Sequence, residues 1–166
     1  MEFRRPIFSE ILDRMNEPRR FIQVLAGPRQ VGKSTLMIQV LADCPLPNYL
    51  YNADGIDMED TDWIRRIWES TRSQMDTKQQ TEAVLVIDEI QKIKNWSEIV
   101  KREWDADTRN RRQLKVFLLG SSRLMLRKGL TESLAGRFEL IRLGHWTFQE
   151  MSDAFGWTLD EWIYYG

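Results

Sequence analysis

The sequence has very little cysteine or histidine, the residues that build disulfide frameworks and most zinc sites. Its 166 residues include one cysteine, Cys44, and one histidine, His145. A single cysteine excludes an internal disulfide, and the two residues cannot supply the roughly four Cys or His ligands of a structural zinc site. We therefore interpret His145 as structural and predict a protein of a reducing, cytoplasmic compartment.

The sequence also lacks an excess of charge of either sign and any long apolar run. Lysine and arginine number 24 against 25 aspartate and glutamate residues, so the formal net charge is −1. No overall basic field supports binding to nucleic acid, which remains an option only for a longer protein that contains this chain. A membrane span needs about 20 predominantly apolar residues in succession, and the N-terminus has no apolar signal-peptide core. We therefore expect neither a signal peptide nor a membrane span.

One stretch fits the pattern G-x-x-x-x-G-K-[ST], the phosphate-binding P-loop. It consists of Gly27, Pro28, Arg29, Gln30, Val31, Gly32, Lys33, Ser34 and Thr35. An apolar strand pattern over 21–26 precedes it, and apolar residues at helical spacing follow it. This context lets backbone N–H groups and a helix N-terminus face phosphates. We predict that Lys33 contacts the β- and γ-phosphates, that Ser34 binds Mg²⁺ and that Thr35 lies near the α-phosphate.

A second apolar run, over 83–87, ends in the two carboxylates Asp88 and Glu89. Such a run predicts a strand buried on both faces of a parallel sheet, and ligands of open α/β sheets lie beyond the carboxyl ends of the strands. We predict that Asp88 holds Mg²⁺ through water and that Glu89 orients and polarises the water that attacks the γ-phosphate.

The segment between the P-loop and Asp88 indicates how the strands are arranged. It contains a helix pattern, a strand pattern over 48–52 and a second helix pattern over 58–73, with a polar loop or frayed helix end over 71–82. We therefore predict that another strand lies between the P-loop strand and the Asp88 strand. A glutamate beside the magnesium aspartate is typical of the ATPase branch with that arrangement. No Asn-Lys-x-Asp motif for guanine is present, which favours adenine.

The later strands carry further candidate residues. A strand pattern over 114–120 ends at Ser121 and Ser122, one of which we predict contacts the γ-phosphate or the attacking water. Arg137 precedes a strand pattern over 138–143 and is the first candidate for an arginine that stabilises phosphoryl charge, from the same chain or a neighbouring subunit. Arg123 is the second candidate. An ordinary salt bridge is the alternative for either arginine.

The ends of the chain are predicted to be helical. Apolar spacing near the N-terminus predicts a short helix, with Arg4 and Arg5 on a solvated face; a helix that covers adenine is the alternative. Three pairs fit the capping-box spacing. They are Asn95 with Glu98, Thr147 with Glu150 and Thr158 with Glu161. We expect a P-loop domain over 1–145 and short helices over 146–166 that lead to a missing C-terminal domain.

With these residues in hand, the chain resembles the prokaryotic AAA-family ATPases that join an N-terminal P-loop domain to a separate C-terminal domain. The likeness covers nearly the whole chain. It rests on 27–35, 86–91, 119–123, 134–137 and the Phe148-x-Glu150 motif. The resemblance implies an α/β P-loop NTPase fold, a three-layer sandwich with a five-stranded, mostly parallel sheet in the order 5-1-4-3-2. It also implies ATP hydrolysis with Mg²⁺, with Lys33 and Ser34 at phosphate and metal, Asp88 at metal, Glu89 at water and a serine sensor.

Three functions are compatible with this phosphate-binding loop. The leading prediction is a Mg²⁺-dependent ATPase whose hydrolysis drives a conformational change in a partner or in the missing domain. The first alternative is a switch that binds ATP or ADP tightly and hydrolyses slowly. The second is a small-molecule or nucleic-acid kinase, against which the Asp88–Glu89 pair argues. An arginine supplied in trans would require self-association.

Overall fold

A computed structural model describes residues 3–121 and 133–165 of the chain. The strands are β1 (Ile22–Gly27), β2 (Asn48–Asn52), β3 (Glu82–Asp88), β4 (Gln113–Ser121) and β5 (Phe138–Arg142). The helices are α1 (Ile7–Asn16), α2 (Lys33–Asp43), α3 (Asp62–Thr77), α4 (Trp96–Arg109), α5 (Phe148–Phe155) and α6 (Leu159–Tyr165), with a short 3-10 helix over Ile90–Lys92.

The five strands form one sheet in the order β2-β3-β4-β1-β5, and each neighbouring pair is parallel. Read from the other edge, this is the predicted order 5-1-4-3-2, so the predicted P-loop NTPase fold is confirmed. The prediction that a strand lies between the P-loop strand and the Asp88 strand is also confirmed, because β4 occupies that place. The carboxyl ends of β1, β3 and β4 therefore meet at one edge of the sheet.

Helices cover both faces of the sheet and create two apolar cores. On one face, Val24 of β1 packs in a cluster with Trp68 of α3 and Trp96 of α4. On the other face, Leu25 packs with Ile11 of α1 and Met37 of α2. Successive residues of a strand point to opposite faces, so a central strand must be apolar at nearly every position. This requirement explains the uninterrupted apolar run before Asp88.

The sequence pattern placed the end of α3 too early. The helix continues to Thr77, whereas the pattern predicted its end near Ser73. Packing against the core stabilises the additional turn, because Met75 is buried there. Arg72 also binds Glu103 and Asp107 of α4, each at 2.8 Å. These contacts depend on tertiary packing, so the polar sequence of the segment does not predict them.

Two of the three predicted capping boxes form. The Thr147 hydroxyl accepts a hydrogen bond from the Glu150 amide at 3.2 Å, and the Glu150 carboxylate accepts one from the Thr147 amide at 2.8 Å. The Thr158–Glu161 pair repeats this geometry at 3.3 and 2.8 Å. The prediction for Asn95 is wrong: its backbone is left-handed at φ 55°, and its side chain makes no capping bond.

In the part of the chain that the structure describes, no helix combines the length and apolarity that crossing a membrane would require.

Candidate functional site

The P-loop connects the end of β1 to the start of α2, and both of its glycines are required by the backbone. A Cβ atom on Gly27 would lie 2.4 Å from the carbonyl oxygen of Leu143, so no larger residue fits there. Gly32 precedes α2 with φ 87°, a left-handed conformation that glycine adopts at little cost. Between them, Arg29 and Gln30 are exposed and Val31 is buried in the core.

Lys33 is a buried cation with uncharged hydrogen-bond partners. Its side chain is only 6% exposed, and its ammonium donates to the carbonyl oxygens of Gly27 at 3.3 Å and Pro28 at 2.7 Å. Burial lowers the pKa of Lys33, and although the carboxylates of Glu89 and Asp88 oppose this effect, the pKa stays below its usual value of 10.5. A charge that is costly to bury among carbonyls is suited to an anionic ligand such as a phosphate.

Ser34 and Asp88 meet at the centre of the site. The Ser34 hydroxyl, at the start of α2, donates to the Asp88 carboxylate, at the end of β3, over 2.5 Å. Asp88 is buried and also accepts the Glu89 amide at 2.8 Å. A hydroxyl and a carboxylate are oxygen ligands of the kind that Mg²⁺ uses beside phosphates, with water completing its coordination. Among residues 3–121 and 133–165, no cluster of three or more His, Cys, Asp or Glu could hold a metal.

Glu89 occupies the turn directly after β3. Its backbone is left-handed, with φ 52° and ψ 31°, and its half-buried carboxylate accepts a hydrogen bond from Gln91 Nε2 at 2.6 Å. The turn places two consecutive carboxylates at the sheet edge where the P-loop begins. The structure thus brings Asp88 and Glu89 to the sheet edge that carries Lys33 and Ser34, and their roles toward metal and water stay predictions.

Ser121 reaches the same edge from β4. It is the last residue of that strand, is buried, and pairs in register with Gly27, where the P-loop begins. This is the placement expected for a polar side chain beside the terminal phosphate. The other two candidates in this segment, Ser122 and Arg123, lie outside the described residues.

The structure does not bring Arg137 to the P-loop of its own chain. Arg137 precedes β5 at the amino edge of the sheet, where its carbonyl accepts the Ile22 amide at 2.8 Å. That edge is separated from the P-loop by the length of β1, about 16 Å at roughly 3.3 Å per residue. Its guanidinium binds Asp105 of α4 with two hydrogen bonds of 2.7 and 3.0 Å. Any contact with phosphate would have to be made with a neighbouring subunit.

Arg5 is a residue of the site that the sequence pattern assigned to a solvated face, and this assignment is wrong. Its side chain is 8% exposed and binds the Glu150 carboxylate at 2.8 and 3.1 Å. It also donates to the carbonyl oxygen of Val31 in the P-loop at 3.2 Å. Its guanidinium lies 5.0 Å from the centre of the Trp146 ring. Arg5 thus joins the N-terminal segment, the P-loop and α5.

A cavity of about 280 Å³ opens beside the start of α2. Gly32 and Thr35 line it on the P-loop side. Three aromatic side chains line it elsewhere: the ring centres of Phe3 and Trp146 are 5.6 Å apart, and those of Trp146 and Phe155 are 5.4 Å apart. No sequence pattern indicated this cavity, because its rings come from opposite ends of the chain.

Comparison with known proteins supports the same fold. A crystal structure of Rif2 in complex with the C-terminal domain of Rap1 matches with a TM-score of 0.60 at 9% identity. The match covers 94% of this chain and 60% of that chain, so the present chain spans about 60% of that protein's length. At this identity the likeness shows the fold alone.

A search of curated proteins finds no match. The protein family described as AAA domain matches residues 19–152, a range that contains the P-loop, Asp88, Glu89 and Ser121. That range is well over half of the chain, and the chain belongs to this AAA domain family.

Proposed function

We propose that the protein binds ATP with Mg²⁺ and hydrolyses it. The observation that carries this proposal is the 2.5 Å contact between Ser34 and Asp88, which joins the P-loop to the end of β3. The contact supports the proposal because it brings two oxygen atoms suited to a magnesium site to the sheet edge that carries the buried ammonium of Lys33, and Glu89 directly follows Asp88 in the chain. A cation, a metal-binding pair and a general base at one sheet edge are the parts that phosphoryl transfer to water requires.

Each P-loop residue has a distinct part in holding the triphosphate. The backbone of the P-loop surrounds the β-phosphate; its residues are Gly27, Pro28, Arg29, Gln30, Val31 and Gly32. The ammonium of Lys33 exchanges its two carbonyl partners for phosphate oxygens. Ser34 and, through water, Asp88 would hold Mg²⁺, which would neutralise charge on the phosphates. Thr35 lies at the α-phosphate, next to the aromatic cavity.

The aromatic cavity is the proposed site of the base. It adjoins Gly32 and Thr35, and the rings of Phe3, Trp146 and Phe155 offer faces on which a purine can stack. This arrangement favours the segment before α1, and not α1 itself, as the part of the N-terminus that covers adenine.

Glu89 is the proposed general base. The water oxygen forms a bond to the γ-phosphorus while the bond from that phosphorus to the β,γ-bridging oxygen of ADP breaks, and Glu89 accepts the water proton. Ser121, and Ser122 beyond the described residues, are the proposed contacts to the γ-phosphate. Arg137 of a neighbouring subunit is the proposed arginine finger, which makes self-association part of the proposal.

We propose that nucleotide hydrolysis changes the conformation of a partner or of a further domain, and that α5 transmits the change. Arg5 donates hydrogen bonds to the Val31 carbonyl of the P-loop and to the Glu150 carboxylate of α5. A shift of the P-loop on nucleotide binding would therefore move Arg5 and change its contact with α5.

The test is steady-state ATP turnover with Mg²⁺ in the wild type, Glu89→Gln and Lys33→Ala. We expect Glu89→Gln to bind ATP normally and to lose about 10²- to 10⁴-fold in kcat, the usual contribution of a general base. Lys33→Ala should lose ATP binding itself. Glu10→Gln, at an exposed glutamate of α1, is the matched control and should behave as wild type.

The alternatives give different results in the same assay. Tight ATP binding without turnover by the wild type would indicate the slowly hydrolysing switch. Turnover that requires an added acceptor hydroxyl would indicate a kinase. Equal turnover in the wild type and Glu89→Gln would contradict the role of Glu89.

A further inference from the structure

Glu89 is held in an uncommon backbone conformation. It is one of the few non-glycine residues of the described chain with positive φ, at 52°. Two hydrogen bonds of the Glu89 backbone fix the turn: its amide donates to the side-chain Oδ1 of Asp88 at 2.8 Å, and its carbonyl oxygen accepts the Lys92 amide at 2.9 Å. The backbone position of Glu89, from which its side chain extends, is therefore fixed at the sheet edge.

The side chain of Gln91 adds a third support. Gln91 lies in the middle of the 3-10 helix that follows Glu89, and it is fully buried. Its Nε2 donates to Glu89 Oε2 at 2.6 Å. A buried side chain has little rotational freedom, so the donor restrains the carboxylate that it contacts.

We propose that Gln91 is a positioning residue, which orients the Glu89 carboxylate toward the attacking water. This inference rests on the proposed ATPase function. The hydrogen bond occupies Oε2 and turns the carboxylate so that Oε1 is available to the water. Without it, the glutamate would sample other rotamers, and a misplaced base costs rate even when substrate binding is intact.

The first test is Gln91→Met, which keeps the approximate size of the side chain and removes its N–H donors. We expect kcat to fall about 10- to 100-fold, with KM for ATP within about twofold of the wild-type value, since the change alters the base and leaves the P-loop residues in place. Gln113→Met, at an exposed glutamine on β4, is the matched control and should retain wild-type kcat. Unchanged or higher kcat in Gln91→Met would overturn the proposal.

A second variant separates positioning from packing. In Gln91→Glu, the new carboxyl group can donate to Glu89 when it is protonated, as the glutamine amide does, whereas its ionised form repels Glu89. The kcat of this variant relative to wild type should therefore fall as pH rises. A ratio that is low and independent of pH would mean that Gln91 serves the core only, and it would count against positioning.

An NMR measurement that does not depend on ATP hydrolysis tests this inference separately from the ATPase proposal. The side-chain NH₂ signals of Gln91 in ¹⁵N NMR spectra should shift in Glu89→Ala and stay in place in Glu98→Ala, a nearby exposed control. If the wild type hydrolyses no ATP but the Glu89→Ala shift is present, the ATPase proposal fails and the restraint on Glu89 stands. If Gln91 signals are insensitive to Glu89, the positioning proposal fails whatever the turnover.

Discussion

The short contact between Ser34 and Asp88 joins residues that are far apart in the sequence. Ser34 lies in the first turn of α2, and Asp88 is the last residue of β3. The proposed function assigns the Ser34 hydroxyl and the Asp88 carboxylate, which are 2.5 Å apart, to Mg²⁺. Two protein oxygens are too few to hold Mg²⁺ firmly, because this ion usually keeps several waters and phosphate ligands. Metal binding should therefore depend on the nucleotide.

Asp88→Asn tests this dependence. With Mg²⁺ present, we expect ATP affinity to fall at least tenfold, about 1.4 kcal/mol, because one negatively charged partner of the metal is lost. In EDTA the variant should bind ATP as tightly as wild type or tighter, since it no longer repels the phosphates. Titration with a fluorescent ATP analogue, with and without Mg²⁺, measures both affinities.

Asp13→Asn, an exposed substitution on α1, supplies the control for that titration. An equal loss of affinity with Mg²⁺ and with EDTA would show that Asp88 supports the loop and not the metal.

At the scale of elements, a buried ion pair attaches α5 to the P-loop. The Arg5 and Glu150 side chains are 8% and 9% exposed, and Glu150 also completes the capping box of α5. Burial alone would raise the pKa of Glu150, but hydrogen bonds from Arg5 and Thr147 outweigh it and hold the pKa below its usual value of 4.5. The ionised carboxylate is thus the form that stabilises the folded state.

Glu150→Gln should lower the free energy of unfolding by about 3 kcal/mol at neutral pH, the usual cost of leaving one partner of a buried pair alone. Because the folded-state pKa is depressed, the contribution of Glu150 is fully present above about pH 4.5 and is lost as pH falls through the folded-state value. The difference between wild type and variant should therefore shrink in acid. Urea unfolding at a series of pH values measures it.

The neighbouring pair of Arg4 and Asp43 gives a matched control, since its side chains are 49% and 37% exposed. Asp43→Asn should cost less than about 1 kcal/mol, as exposed pairs usually do. A cost for Glu150→Gln that is equally small, or that does not change with pH, would mean that the buried pair contributes little to the attachment of α5.

At the scale of the whole molecule, the position of Arg137 means that only self-association could bring this arginine to the proposed phosphate site. The arginine lies at the amino edge of the sheet, and the proposed phosphate site lies at the carboxyl edge of the same sheet. A single copy cannot bring the two together without unfolding β1 or β5. If Arg137 stabilises phosphoryl charge, one copy must present its amino edge to the carboxyl edge of the next.

Complementation between two inactive variants tests this arrangement. Arg137→Ala should lose on the order of 10³-fold in kcat, as removal of an arginine finger does, and the specific activity of wild type should rise with protein concentration. A mixture of Arg137→Ala and Glu89→Gln should regain activity, because one copy supplies the arginine and the other an intact site. Turnover of the mixture across a concentration series is the measurement.

Asp105→Asn breaks the same ion pair but leaves the arginine in place, so it controls for structural loss. Activity that is independent of concentration, with no recovery in the mixture, would leave Arg137 as a structural partner of Asp105.

Local chemistry accounts for the parts of the molecule that the sequence predicted. The P-loop motif, the strand that ends in Asp88 and Glu89, and the capping boxes at Thr147 and Thr158 depend on residues close together in the chain. The parallel sheet then places Ser121 beside Gly27, because strand order determines which carboxyl ends are neighbours. Most of the candidate site could therefore be predicted once the family resemblance supplied the strand order.

The sequence by itself determined the strands, the phosphate loop and the pair of carboxylates, because a 3.6- or 2-residue period and a glycine-rich turn are local properties. Only the tertiary structure decided that Arg5 meets Glu150, 145 positions later, that Gly27 is pressed against Leu143, and that Phe3, Trp146 and Phe155 line one cavity. These contacts depend on how distant segments exclude water from one another. Arg5 and Arg4 are adjacent and have almost the same sequence neighbours. Only the fold distinguishes them, because it buries Arg5 and leaves Arg4 exposed.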